Sequence, residues 1–65
     1  MKNNYKGFYS IESRQTYNRF GYDFTNLKVA RRNMRAIAKG ECPKGSHGKW
    51  WVNQVDGIEV ARGIV

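Results

Sequence analysis

The chain has few of the residues that build most chemical centres. Its 65 residues include one cysteine and one histidine. Cys42 therefore cannot form an intramolecular disulfide, which favours a reducing compartment, and we expect a cytoplasmic location. A zinc site needs three or four ligands, and Cys42, His47 and Glu41 do not supply such a set. Because Cys42 has no second histidine to pair with and no carboxylate pair has a readable spacing, we expect no metal, no cofactor and no enzymatic activity.

Long apolar runs and acidic residues are also scarce. No apolar run approaches the roughly 18 residues of a membrane-spanning helix, and the N-terminus MKNNYKGF lacks the apolar stretch of a signal peptide. Twelve lysines and arginines stand against five acidic residues, which gives a net charge of +7. This balance favours a polyanionic partner, which is a nucleic acid, an acidic protein surface or an anionic membrane surface. The lack of a long apolar run disfavours the membrane.

The composition predicts one small folded domain over residues 1–65. A chain of this length buries only about 60% of the surface that its unfolded form exposes, so its core must be small. Aromatic residues make up 14% of the sequence, enough to supply much of that core. We expect a monomer, or a weak dimer through an exposed strand edge.

Alternating residues predict two N-terminal strands that form a hairpin. Residues 5–12 place Tyr5, Tyr9 and Ile11 on one face. Residues 17–24 place Phe20, Tyr22 and Phe24 on one face, opposite Arg19 and Asp23. The polar residues 13–16 suit the turn between the two strands.

The next segment predicts a helix that Asp23 or Thr25 caps and that ends at Gly40, where we expect a left-handed C-terminal residue. Residues 41–48 form a loop in which Pro43 prevents continuation of the helix. Two more strands, 49–55 and 58–65, flank Asp56-Gly57, which is typical of a two-residue type I′ turn. The fold class is therefore α+β: a two-layer β-β-α-β-β domain with one helix on a small, mainly antiparallel sheet.

The predicted helix separates an apolar face from a basic face. With Leu27 at 0° and successive residues 100° apart, the apolar side chains fall between about 280° and 20°. The basic side chains fall between about 40° and 140° on the same projection. The apolar set is Leu27, Ala30, Met34, Ile37 and Ala38, and the basic set is Lys28, Arg31, Arg32, Arg35 and Lys39.

The basic face contains no acidic residue to balance it. Positions 28–32, 31–35 and 35–39 are like-charged at i,i+4, and 28–31 and 32–35 are like-charged at i,i+3. Each such pair costs a few tenths of a kcal/mol, or about 1–2 kcal/mol together. A solvated face built for stability normally mixes the two signs, so we expect these five residues to bind an anionic partner. A face that only keeps the protein soluble is the alternative.

Two adjacent tryptophans, Trp50 and Trp51, must point to opposite faces of their strand. A two-residue turn pairs Val55 with Ile58, Asn53 with Val60 and Trp51 with Arg62. This register predicts that Trp51, Val55, Ile58 and Val60 face the helix. Trp50 would then lie on the opposite face with Val52, Gln54 and Glu59, where it is either covered by another segment or free to contact a partner.

The segments NLKVARRNMRAIAKGEC and HGKWWVNQVDGIEVA resemble small phage-encoded anti-CRISPR proteins, in particular a compact type I-F inhibitor. The resemblance covers about residues 26–62. The matching positions are Leu27, Ala30, Arg31, Arg32, Cys42, His47, Gly48, Val55, Gly57 and Ala61. It implies a protein that acts in the host cytoplasm and uses a basic helix face to occupy a nucleic-acid-binding surface of a CRISPR surveillance complex. By position, that role falls on Arg31 and Arg32.

The sequence therefore leaves two kinds of partner open. One is a CRISPR ribonucleoprotein, which the chain would inhibit. The other is DNA or RNA bound directly, through phosphate contacts and without sequence specificity, since the one nearby candidate for reading bases, Asn33, lies on the wrong side of the helix. In both cases the predicted contact residues are Lys28, Arg31, Arg32, Arg35, Lys39 and Trp50.

Overall fold

The computed structural model describes residues 4–12 and 16–65. In chain order the elements are β1 (Tyr5–Ile11), β2 (Thr16–Tyr17), β3 (Tyr22–Phe24), α1 (Leu27–Glu41), β4 (Gly48–Gln54) and β5 (Glu59–Ile64). Strands β2 and β3 both pair with β1 and together occupy the place of the single strand predicted over residues 17–24. The predicted α+β class and β-β-α-β-β order are confirmed. Residues 13–15, in the predicted first turn, lie outside the described residues.

The sheet is antiparallel, and its two long strands lie at its centre. β1 and β4 pair along their whole length, from Tyr5 opposite Gln54 to Ile11 opposite Gly48. β5 pairs with the other side of β4, while β2 and β3 pair with the other side of β1. β5 is therefore one edge of the sheet, and its outer side has no neighbouring strand among the described residues.

The second predicted strand is interrupted between Asn18 and Gly21. The Asn18 side chain accepts from the Tyr9 amide and donates to the Gly7 carbonyl, so it takes the place of a strand neighbour beside β1. Gly21 adopts a φ of 74°, which redirects the chain into β3. The interruption leaves Phe20 outside the strands and 86% exposed, so the prediction that Phe20 shares a packed face with Phe24 is wrong.

Helix α1 begins after Asn26, which is its N-cap. The Asn26 side chain accepts from the amides of Lys28 (2.8 Å) and Val29 (3.2 Å). The predicted caps Asp23 and Thr25 are wrong, and Asp23 instead pairs with Lys6 at 3.6 Å. Gly40 lies inside the helix, which ends at Glu41 with Cys42 as C-cap, so its predicted left-handed conformation is also wrong. No helix among the described residues is both long and apolar enough to cross a membrane.

The predicted apolar face of α1 forms the core with β1 and β4. Ala30, Met34 and Ala38 are fully buried, and Leu27 and Ile37 pack at the margin. Met34 lies directly against Gly7, where any added side chain would collide with its Cγ and Sδ atoms. The sheet contributes Tyr9, Ile11, Trp50 and Val52. This cluster fixes which side of the sheet faces the helix.

The C-terminal hairpin turns through a longer loop than the two-residue type I′ turn predicted. The Gly57 amide donates to the Gln54 carbonyl (2.9 Å), and the Gln54 amide donates to the Ile58 carbonyl (2.8 Å). With Gly57 at a φ of 92°, this is a four-residue turn followed by a glycine bulge. The loop therefore spans Val55, Asp56 and Gly57, and Val55 does not pair with Ile58.

A second irregularity lies in β5 and changes its faces. Val52 pairs with Ala61 but Asn53 pairs with Glu59, so Val60 is an extra residue in the strand. Such a bulge turns two successive side chains towards the same side, and both Val60 and Ala61 pack against the core. The predicted pair of Asn53 with Val60 is wrong, whereas the pair of Trp51 with Arg62 is confirmed.

The two tryptophans face opposite ways to the prediction. Trp50 is 7% exposed and faces the helix with Val52. Trp51 lies on the side of the sheet away from α1, which we call the open face, and its ring stacks on that of Phe8. Val55 and Ile58 do not pack under the helix but are 77% and 59% exposed at the hairpin tip. Of the four residues predicted to face the helix, only Val60 does so.

Candidate polyanion-binding groove

All five predicted basic residues of α1 are exposed: Lys28, Arg31, Arg32, Arg35 and Lys39. Lys6 pairs with Asp23 and Arg62 pairs with Glu59, and neither ion pair involves the helix. The first turn of α1 also contains no acidic residue. The positive charge of this face is therefore not neutralised by the rest of the described chain.

Four of these cations line one open depression of about 320 Å³, which we call the basic groove. Its lining is Lys28, Arg31, Arg32 and Arg35 from α1, Trp50 from β4 and Arg62 from β5. None of these residues is acidic. The groove thus gathers five positive charges around one aromatic side chain.

The groove forms because the helix covers only part of the sheet. α1 packs mainly on β1 and β4, and its basic flank overhangs the helix side of β5. There β5 presents Ala61 and Gly63, which pair with Val52 and Trp50 and have little or no side chain to fill the space. The space between the helix cations and the sheet edge is therefore open except for the Trp50 ring, which lies over Gly63.

Trp50 forms the inner wall of the groove. Its strand neighbour across the sheet is Gly63, and a Cβ atom at that position would lie 2.7 Å from the indole ring. The ring therefore lies across the Gly63 backbone and reaches towards the outer strand. Sequence reasoning placed Trp50 at the site but on the wrong face, since it reaches the groove as a core residue with one accessible edge.

Arg62 is a groove residue that the sequence analysis missed. Its guanidinium Nε lies 3.8 Å from a Glu59 carboxylate oxygen, and its side chain is 80% exposed. The bulge at Val60 brings these two residues to the same face. An ion pair this exposed contributes at most about 1 kcal/mol, so Arg62 can exchange Glu59 for a phosphate at little cost. The sequence did contain an indication of this residue, because the predicted pairing of Trp51 with Arg62 places Arg62 beside the tryptophans.

Lys39 does not line the groove. It lies in the last turn of α1, where a cation interacts favourably with the negative end of the helix dipole. The favourable interaction with the helix dipole explains a lysine at this position without any bound ligand. The structure thus brings together Lys28, Arg31, Arg32, Arg35 and Trp50 from the predicted set and leaves Lys39 apart.

The loop after the helix is held by a hydrogen bond within the loop and by one to Glu12, the residue after β1. The Cys42 thiol donates to the Ser46 carbonyl at 3.2 Å, and the His47 carbonyl accepts from the Glu12 amide at 3.1 Å. No group of three His, Cys, Asp or Glu side chains that could hold a metal occurs among residues 4–12 and 16–65. Cys42 and His47 therefore have local structural contacts in this loop.

Burial raises the pKa of the Tyr9 phenol above its ordinary value of 10.0, and the charges of Glu41 and Tyr22 raise it further. The phenol consequently stays neutral at physiological pH. Tyr9 belongs to the core beneath α1, so this shift reflects packing of the sheet and not the chemistry of the groove.

Comparisons with family models, curated protein sequences and solved structures gave no match to this chain. The residues of the groove are therefore the basis for assigning a function.

Proposed function

We propose that this protein is a non-enzymatic binding protein whose basic groove holds the phosphate backbone of a nucleic acid. The observation that carries the proposal is the convergence of four helix cations and Arg62 on one groove without a lining carboxylate. Arginine forms two parallel hydrogen bonds to phosphate, and four of the five cations are arginines. Like charges so close together cost stability when the groove is empty, and a bound polyanion removes that cost.

This binding does not depend on sequence. A helix that reads bases usually presents asparagine, glutamine, serine or threonine beside its arginines, and none of these residue types lines the groove. Asn33, the nearest candidate in the helix, donates its side-chain amide to the Val29 carbonyl at 2.9 Å. The contacts left to the groove are electrostatic, and they should weaken steeply as salt rises.

Inhibition of a CRISPR surveillance complex is the second candidate. It rests on the resemblance of residues 26–62, and the exposed Val55 and Ile58 at the hairpin tip favour it because apolar side chains suit a protein surface. A channel that holds nucleic acid is itself basic and would repel a protein of charge +7. In such a complex, the groove would therefore contact the RNA or DNA strand while the hairpin tip contacts protein.

The test is a titration of labelled DNA at several salt concentrations, followed by fluorescence anisotropy. If four or five phosphates are contacted, the log–log slope of affinity against salt should be about −3.6 to −4.5 for a duplex and about −2.8 to −3.5 for a single strand. The triple variant R31E/R32E/R35E should keep its circular dichroism spectrum and lose binding. A folded triple variant that binds DNA normally would overturn the proposal. Binding of the wild-type protein to a purified CRISPR surveillance complex, without binding to free DNA at low salt, would favour the second candidate.

A matched pair of single variants tests the groove itself against the overall charge. Arg35→Glu and Lys39→Glu change the net charge equally and lie one turn apart on α1, but only Arg35 lines the groove. We expect Arg35→Glu to reduce the salt slope by about 1 and Lys39→Glu to leave it unchanged. Equal effects of the two variants would show that net charge alone attracts the nucleic acid.

A further inference from the structure

The basic groove continues around the edge of the sheet into a second depression. This depression, which we call the edge pocket, has a volume of about 590 Å³. Trp50 and Arg62 line both, so the two form one continuous surface. Gly63, over whose backbone the Trp50 ring lies, also lines the edge pocket.

The edge pocket contains an aromatic platform. Trp51 lies within it and stacks on Phe8, its partner across β1 and β4, with ring centroids 5.7 Å apart and planes inclined by 17°. The stack holds the Trp51 ring in one orientation, and Trp51 remains partly exposed. A flat π-surface is therefore already in place next to the phosphate-binding cations.

Charge is distributed unevenly along this surface. The groove carries five cations and no acid, whereas the pocket carries Lys49 and Arg62 together with Glu59. A ligand that follows the whole surface thus needs a charged part at the helix and a largely uncharged, flat part at Trp51. A nucleotide has this division, with phosphate at one end and a base at the other.

We propose that the ligand is single-stranded nucleic acid, with its phosphates in the basic groove and a base stacked on Trp51 in the edge pocket. The inference rests on the proposed function and names its substrate class. A duplex keeps its bases stacked inside the double helix and can therefore bind only in the basic groove. A single strand can bind in both depressions. Because every base has a π-face, stacking adds affinity without sequence specificity.

The experiment compares a single strand and a duplex of the same sequence, using the intact protein and Trp51 variants. We expect the single strand to bind more tightly than the duplex. Trp51→Leu keeps an apolar side chain but removes the π-face, and should weaken single-strand binding about 5- to 150-fold, the range for base–aromatic stacking. Trp51→Phe should restore most of that loss, and duplex binding should change little in either variant.

A second variant keeps the test valid if Trp51→Leu does not fold. Ile64 is exposed at the rim of the edge pocket and outside the core. Ile64→Glu should place a carboxylate beside the bound base and weaken single-strand binding while leaving the circular dichroism spectrum unchanged.

The outcomes separate this inference from the proposed function. No binding of either nucleic acid at low salt would overturn both. Equal binding of single strand and duplex, with no effect of Trp51→Leu or Ile64→Glu, would overturn only the stacking site. A Trp51→Leu variant that changes self-association in sedimentation but not DNA binding would show instead that the edge pocket receives a second copy of the chain.

Discussion

Gly63 shows how one missing side chain shapes the site. It faces Trp50 across the sheet, and the indole ring lies over its backbone. The same residue lines the edge pocket. Gly63 has no side chain to contact a ligand, but its lack of a side chain determines where the Trp50 ring lies in the groove.

Gly63→Ala should destabilise the protein and weaken binding. Its Cβ would lie 2.7 Å from three atoms of the Trp50 ring, so the ring must shift, at a cost of about 1–3 kcal/mol. Urea unfolding measures this loss. Gly40→Ala is the control, because a Cβ there meets no atom within 4 Å and Gly40 lies within α1. It should stabilise by about 0.5–1 kcal/mol, and destabilisation would instead support the left-handed conformation that the sequence predicted.

The tryptophan pair shows what a sequence can and cannot establish at single residues. Alternation along β4 requires that Trp50 and Trp51 face opposite sides, and this was predicted correctly. Which one faces the helix was predicted from Val55 and Ile58, on the assumption that apolar residues beside a turn are buried. The longer loop and the bulge at Val60 remove both residues from that face. Neither the longer loop nor the bulge can be recognised from the alternation of apolar and polar residues. The predicted faces of the two tryptophans were therefore wrong for the same reason as the predicted turn type.

At the scale of elements, α1 was the most predictable part of the site. Its apolar and basic arcs follow from the helical period alone, and the structure buries Ala30, Met34 and Ala38 while exposing the basic residues. Which cations share a groove could not be predicted, because that depends on the strand beneath the basic flank. Strand order places β5 there, which brings in Arg62 and leaves out Lys39.

The start of α1 gives a test at the element scale. Asn26→Ala removes the acceptor for the amides of Lys28 and Val29, and should lower the free energy of unfolding by about 1 kcal/mol. The adjacent Thr25→Ala should change it by less than about 0.5 kcal/mol, as expected for an exposed position without such a role. Denaturant unfolding of both variants measures the difference. A larger loss in Thr25→Ala than in Asn26→Ala would assign the cap to Thr25, one of the two caps that the sequence predicts.

At the scale of the whole molecule, the excess of positive charge opposes folding and favours binding. The net charge is +7, and the described helix cations have no acidic partner. Repulsion among them is present only in the compact state, whereas a polyanion bound to the folded protein stabilises it by mass action. The same charges thus have opposite effects on the stability of the free protein and on its affinity.

Salt should separate these two effects. Between ~0.01 M and ~0.15 M salt the Debye length falls from about 30 to about 8 Å. We expect the free energy of unfolding in urea to rise by up to about 1–2 kcal/mol, the cost of the like-charged helix pairs, while DNA affinity falls by orders of magnitude.

Arg35→Glu replaces three like-charged pairs, with Arg31, Arg32 and Lys39, by attractive ones. It should be more stable than the wild type at low salt, show a weaker salt dependence of stability, and bind DNA less tightly. An Arg35→Glu protein that is less stable at low salt would contradict the view that this face sacrifices stability for binding.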